Sequence, residues 1–205
     1  MRKTTFFYIL LTLLLIIAGL RFFGPADAVK NAVPEGLNII CFGNSLTYGT
    51  GASRGMDYPA QLSRMISLPV INAGIPGNTT ADALSRVKTD VLDKSPRIVL
   101  ITLGGNDLKN RVPKEVAFHN LKQIVQAIQN AGALVIIGGV DIPLRGRGYG
   151  NAYKELAKET GSVLIPNVFD GILGHKDLMY DPIHPNDKGY TLMAKSFYAA
   201  IQPYL

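Results

Sequence analysis

The stretch LNIICFGNSLTYG, Leu37 to Gly49, sets the fold. From Ile39 to Phe42 it is unbroken apolar, and it stops at Gly43 before Asn44 and Ser45. A short apolar run of this kind is a strand buried on both faces, and a Gly-Asn-Ser sequence after it is a tight turn into a helix. Four more such runs follow: PVINA (69–73), RIVLITL (97–103), ALVIIGG (133–139) and SVLIP (162–166). Helix-length segments separate them. Residues 79–94 open on a Thr cap and end before Pro96. Residues 113–131 start with Pro in the first turn, place Val116, Leu121, Ile124, Val125 and Ile128 on one side, and stop at Gly132. Residues 149–160 end at Gly161, and Asn186 caps a last helix that turns Leu192, Met193, Phe197 and Ile201 inward. Strands alternating with helices predict a three-layer α/β/α sandwich around a five-stranded parallel sheet. Right-handed crossovers bring the carboxyl ends of all strands to one edge, where such sheets bind ligands.

The strand-end loops therefore hold the candidate chemistry. After the first run, Ser45 is either a helix-cap residue or a nucleophile placed beside free backbone N–H groups. After the second comes NAGIPGNTT (72–80), a capped loop or a place where Gly74 and Gly77 let backbone approach a ligand. After the third comes LGGNDLKN (103–110), which carries Asn106 and Asp107 to the edge as an Asx turn, or sets the Asn106 amide there as an oxyanion donor. It lacks the glycine spacing and lysine of a nucleotide loop.

A serine hydroxyl is a weak nucleophile without a base. His119 falls within a helix, and His175 has no fixed partner. His184 lies in YDPIHPND (180–187), three residues after Asp181 and between two prolines. That spacing lets the carboxylate reach the near ring nitrogen and leaves the far one as acceptor, although an acidic-His turn before a helix is the plainer alternative.

Together, FGNSLTYG, NAGIPGNTT, GGND and DPIHPN resemble, in order and spacing, the four blocks of the SGNH hydrolases, the GDSL-type esterase/lipase family. The similarity runs from Leu37 to the last helix. It implies a flavodoxin-like sheet and a catalytic triad of Ser45, Asp181 and His184. It also implies an oxyanion hole formed by Ser45, Gly77 and Asn106. The resemblance is strongest to the small extracytoplasmic thioesterase/lysophospholipase/arylesterase group. Asn44 departs from the family's more common Asp, which bears on the loop's hydrogen bonds and not on the triad. The resemblance implies a serine esterase acting through an acyl-enzyme on aryl or short-chain esters, lysophospholipids or acyl thioesters. The alternatives are a carbohydrate O-acetylesterase and a membrane-tethered binding domain that has lost the chemistry.

The loop VDIPLRGRGYG (140–150) follows the fourth run and reaches the same edge. Arg145, Arg147 and Tyr149 are candidate substrate-binding residues there, with solvated surface charges as the alternative.

Residues 1–28 differ in kind from the rest. Arg2 and Lys3 precede an uncharged run, Phe6 to Leu20, and ADA follows at 26–28. This describes a signal peptide, or, if the run is extended through Phe22 and Phe23, an uncleaved anchor formed by residues 6–23. Either places the hydrolase domain, 29–205, outside the cytoplasm. Without residues 1–28, which hold Arg2, Lys3, Arg21 and Asp27, the formal charge falls from +6 to +4. So small a charge, with no basic-aromatic run, does not argue for nucleic acid as a partner and reads as a solvated surface or a weak attraction to an anionic membrane; a small-molecule or lipid acyl ester as the substrate is what the family resemblance implies. The lone Cys41 cannot form an internal disulfide and reads as a buried apolar residue. With no cysteine pair and scattered histidines, no metal site and no cofactor are expected.

Overall fold

Each of the five apolar runs forms a strand in the computed structural model, which describes residues 28–142 and 148–205. They are β1 (Asn38–Gly43), β2 (Val70–Gly74), β3 (Pro96–Thr102), β4 (Leu134–Gly138) and β5 (Val163–Ile165). All pairings are parallel, in the order β2-β1-β3-β4-β5. That is the flavodoxin-like order. The expected leader or anchor at 1–28 and the expected contacts of Arg145 and Arg147 lie outside the described residues, apart from Ala28.

Alternate residues of the central strands feed two separate cores. Ile40, Phe42, Val99, Ile101, Val135 and Ile137 pack on one side. Ile39, Cys41, Ile98, Leu100, Leu134 and Ile136 pack on the other. This two-sided burial is why the runs show no polar alternation. Cys41 is fully buried, and burial pushes its thiol pKa up, so it serves as a small apolar side chain.

Seven helices stand among the described residues: α1 (Ser45–Tyr48), α2 (Tyr58–Ser63), α3 (Thr80–Asp90), α4 (Gly105–Lys109), α5 (Lys114–Asn130), α6 (Tyr149–Thr160) and α7 (Asp187–Ile201). The expected helix over 79–94 ends at Asp90, and a separate 3-10 turn covers Leu92–Lys94. Its start is a capping box: Thr79 Oγ1 accepts from the Asp82 N–H, and Asp82 Oδ2 accepts from the Thr79 N–H at 2.9 Å. Pro113 is the N-cap of α5 rather than part of its first turn. Val116 is a correction of phase: it is 49% exposed, because it sits about 140° around the helix from Leu121, away from the buried stripe. Helix α2, which the sequence reading does not include, is too short to show a period. Asp57 caps it by accepting from Ala60 N–H at 2.9 Å, and its Tyr58 stacks on Phe197 of α7 at 4.7 Å between ring centroids.

The chain enters at β1, goes outward to β2, and returns across β1 to β3. The loops after β1 and β3 therefore diverge, opening a crevice at the carboxyl edge between them. Both α1 and α4 start in these loops.

Candidate active site

Ser45 is the first residue of α1, one step past the Asn44 cap. Asn44 Oδ1 accepts the Leu46 N–H at 3.1 Å, so the residue that departs from the family's usual Asp still closes the turn. Close approach by β2 supports the turn from beside it. A Cβ on Gly74 would overlap the backbone of Thr47 and Tyr48, so only glycine lets α1 rest against the end of β2.

The base candidate reaches Ser45 from the far side of the sequence. His184 Nε2 is 3.0 Å from Ser45 Oγ, and His184 Nδ1 is 2.7 Å from Asp181 Oδ2. A carboxylate only accepts, so Nδ1 carries the proton and Nε2 is left to accept from the serine hydroxyl. The other carboxylate oxygen, Asp181 Oδ1, accepts the backbone N–H groups of Ile183 and His184, each at 2.8 Å. Burial pushes the Asp181 pKa up. The His184 ring and the two backbone N–H groups outweigh this, and the pKa lies below the ordinary carboxylate value. An antiparallel bridge between Met179 and Pro185 closes the loop, with Tyr180 N–H donating to the His184 carbonyl at 2.9 Å. Asp187, another acid close to His184 in sequence, is engaged elsewhere: its Oδ1 accepts from Ser53 N–H at 2.7 Å.

The oxyanion candidates lie in the other two loops, Gly77 after β2 and Asn106 after β3, and of the two only Asn106 lines the crevice. Gly77 has φ +84°, a left-handed conformation natural only to glycine, and a Cβ there would meet open space. Its requirement is conformational rather than steric. Among the described residues no hydrogen bond uses the backbone N–H of Ser45 or of Gly77. Asn106 donates one amide hydrogen to the Asn78 carbonyl at 2.9 Å and lines the crevice with Ser45 and His184. An amide has a second donor, which this bond does not use. The neighbouring Asp107 is turned away and fully buried, accepting from Thr80 Oγ1 at 2.7 Å and Thr80 N–H at 3.0 Å. It pins α4 to the positive end of α3 and does not face the cleft.

The crevice has a volume of about 600 Å³, within the size range of small-molecule sites. Leu46, Leu108, Val140, Ile142, Phe169 and Ile183 supply its apolar walls. Lys109 and Arg111 also line it, and no carboxylate pairs with either among the described residues. Arg111 holds φ +59°, a left-handed conformation that costs a side-chain-bearing residue about 1–2 kcal/mol.

The structure thus brings Ser45, Asp181, His184, Gly77 and Asn106 to one edge. Tyr149 is corrected: only 3% exposed, it packs against Phe118 and Tyr153 in the core instead of lining the crevice. Its place at the first turn of an amphipathic helix, facing α5, draws it inward. His119 and His175 are both exposed and stand apart from the site. Missing from the sequence reading are Lys109, Arg111 and Arg86. The first two lie two and four residues past GGND, so their place just beyond the third block was a usable signal. Arg86 lies seven residues after Thr79, nearly two helical turns, and so under the loop that Thr79 ends.

Residues 41–192 match the family model described as the GDSL-like Lipase/Acylhydrolase family. Thioesterase 1/protease 1/lysophospholipase L1 of Escherichia coli (strain K12) is 31% identical over 174 residues, which is 80% of this chain and 83% of that protein. Among solved structures, AlinE4, described as an SGNH-hydrolase family esterase, is 31% identical with a TM-score of 0.66, over 83% of this chain and 97% of that one. The crystal structure of TesA superposes with a TM-score of 0.78 at 24% identity, over 82% of this chain and 99% of that one, a likeness of fold. With a family model spanning most of the described fold and relatives alike over 83% or more of their own length, this chain belongs to the GDSL-like lipase/acylhydrolase, or SGNH hydrolase, family and is a serine hydrolase acting on ester bonds.

Proposed function

We propose that this chain hydrolyses acyl esters through an acyl-enzyme on Ser45, with His184 as base and Asp181 as its orienting acid. The observation that carries the reading is the hydrogen-bonded line from Asp181 through His184 to Ser45 Oγ, with steps of 2.7 and 3.0 Å, ending in an apolar crevice. As Ser45 Oγ attacks the carbonyl carbon, its proton passes to His184 Nε2 and the carbonyl electron pair moves to oxygen. The N–H groups of Ser45 and Gly77 and the free amide hydrogen of Asn106 receive that oxyanion. Its collapse breaks the bond to the leaving oxygen, or sulfur, which takes the proton from His184. Water then gives a proton to His184, attacks the acyl carbon, and releases the acid as the proton returns to Ser45.

The walls of Leu46, Val140, Ile142 and Phe169 suit an apolar acyl group better than a sugar acetate, which favours aryl, short-chain or lipid acyl esters and thioesters over carbohydrate esters. Lys109 and Arg111 add a specific reason to include lysophospholipids, whose phosphate they would meet. Together with the basic, apolar N-terminal segment, this favours a site of action outside the cytoplasm and close to a membrane.

The test is hydrolysis of nitrophenyl esters of graded chain length by the parent and by Ser45→Ala, with fluorophosphonate labelling of both. The parent should label at Ser45 and prefer chains longer than acetyl. The variant should lose about 10³–10⁶-fold in kcat, the range known for triad members. A variant within tenfold of the parent refutes the nucleophile. A parent that neither labels nor hydrolyses any ester is a binding domain, and one that accepts only acetyl esters of sugars is a carbohydrate esterase.

A further inference from the structure

We infer that Arg86 is a positioning residue of the oxyanion site: it ties the loop carrying Gly77 to the ends of β1 and β2 and thereby sets where Gly77 and Asn106 point. The inference rests on the proposed roles of Ser45, Gly77 and Asn106. Arg86 lies on α3 beneath the site, with its side chain 12% exposed. Its guanidinium is used on three sides. Nη2 donates to the Gly43 carbonyl at 2.8 Å, the last residue of β1 and two before Ser45. Nη1 donates to the Ala73 carbonyl on β2 at 3.0 Å and to Asp90 Oδ2 at 2.8 Å. Nε donates to Asn78 Oδ1 at 2.7 Å. The group also sits over the Phe42 ring, 4.4 Å from its centroid.

The Asn78 bond makes the cluster more than a structural filler. Asn78 accepts Arg86 through its side chain and Asn106 through its backbone carbonyl, the latter at 2.9 Å. One residue thus joins the guanidinium to the amide proposed to hold the oxyanion, and its chain neighbour is Gly77. At its start the loop is tied to β1 by the Ile75 N–H, which donates to the Gly43 carbonyl at 3.1 Å, but Gly77 itself has no backbone bond among the described residues. Between Gly74 and Thr79 its only internal backbone bond among the described residues is Asn78 N–H to the Ile75 carbonyl, at 3.2 Å, and Ile75 is 42% exposed. A left-handed glycine in such a loop holds its N–H direction only if the flanking residues are tied. A planar fork that spreads its donors over three nitrogens in fixed directions can brace two strand ends and the loop at once, whereas an ammonium offers its rotatable donors from a single point.

The variants are made in the full chain, and kcat and KM are measured on a neutral nitrophenyl ester beside the thermal midpoint. Asn78→Ala removes the tie while leaving the Arg86 bonds to Gly43, Ala73 and Asp90. It should lower kcat at least about tenfold, below the roughly 10²–10³ of losing a donor outright, with KM nearly unchanged. Asn78→Asp, which keeps an acceptor for Nε, should recover most of that loss. Arg86→Gln should lower kcat at least as much, and adding Asn78→Ala to it should cost little more, since both break one linkage. Parental kcat in Asn78→Ala overturns the inference, as does a double variant whose loss is the product of the two singles. If Arg86→Gln does not fold, the Asn78 pair still decides. Ser45→Ala separates the two levels. If it is inactive while Asn78→Ala is fully active, only the positioning role falls. If Ser45→Ala is fully active, the nucleophile and the positioning role fall together.

Discussion

Replacing Asp181 by Asn tests the orienting acid with little change of shape. Asp181 Oδ1 is held by two backbone N–H groups, from Ile183 and His184, at 2.8 Å each. In the Asp181→Asn variant the amide carbonyl oxygen keeps that place, because the NH₂ group cannot accept from those donors. The NH₂ group must then face His184 Nδ1, where Oδ2 now sits at 2.7 Å. A donor there forces Nδ1 to accept and moves the ring proton to Nε2, which meets Ser45 Oγ at 3.0 Å. The imidazole then offers the serine a donor instead of an acceptor, and the proton transfer that starts the reaction is blocked. The loop remains braced by the Met179–Pro185 bridge, so folding should change little. In serine proteases the same exchange lowers kcat by about 10⁴. At 1.36 kcal/mol per decade, that is about 5.5 kcal/mol of transition-state stabilisation. The expected loss here is about 10³–10⁴ in kcat, with KM within a few-fold and the thermal midpoint close to the parent's. The assay is steady-state hydrolysis of a nitrophenyl ester, with a melting curve for each protein. A kcat within tenfold of the parent, from a variant that melts normally, refutes the tautomer argument and with it the role of Asp181.

Asn106→Ala should cost about 10²–10³ in kcat and leave KM nearly unchanged, because the amide is proposed to meet the oxyanion and not the ground-state ester; an effect confined to KM refutes this. Neutralising Lys109 and Arg111 together, as Lys109→Gln and Arg111→Gln, should lower kcat/KM for a lysophospholipid about tenfold or more at low salt while sparing a neutral ester, with the difference shrinking as salt is added. Equal effects on both substrates refute a head-group role. Acid should destabilise the fold through Asp82, whose folded pKa lies below the ordinary value because the Thr79 hydroxyl and backbone N–H donate to its carboxylate. Its contribution is complete above an unfolded value of about 3.9 and is lost as pH falls through the lower folded value. Melting curves between pH ~5 and ~2 should therefore show a shallower loss in Asp82→Asn than in the parent, and identical slopes refute the linkage.

Most of the fold was legible in the sequence, for a physical reason. A strand buried on both faces must be apolar without alternation, and β1, β3 and β4 satisfy this with every one of their central residues buried. Helix ends were marked by local chemistry: Thr79 before α3, Gly161 after α6 and Asn186 before α7 each make the cap that their type suggests. Helix α2 was not legible, because six residues hold less than two turns and its Tyr58 and Leu62 are buried by packing on α7 rather than by a repeat of their own. Val116 misled for the opposite reason: an apolar residue beside an apolar stripe is not thereby part of it.

For the site, the types and order of Ser45, Gly77, Asn106, Asp181 and His184 were readable because each stands in a short block with its own local geometry. The Asp181–His184 contact belongs to that class, as it spans only three residues. Contacts across the fold are different. Ser45 and His184 are 139 positions apart, and their 3.0 Å approach exists only because β1 and the loop before α7 end at one edge of the sheet. Tyr149 could equally have faced the crevice or the core, and packing against Phe118 and Tyr153 settled it. Arg86 gives no sign in the sequence that it reaches Gly43, 43 positions earlier, or that Asn78 links it to Asn106. Local periodicity, caps and short-range spacing are written in the order of residues, and they specify the strands, the longer helices and the identity of the reactive side chains. Which of those side chains meet, which charges line the crevice and what holds the oxyanion loop come from the folded chain alone, since these depend on crossings that bring distant segments within a hydrogen bond's reach.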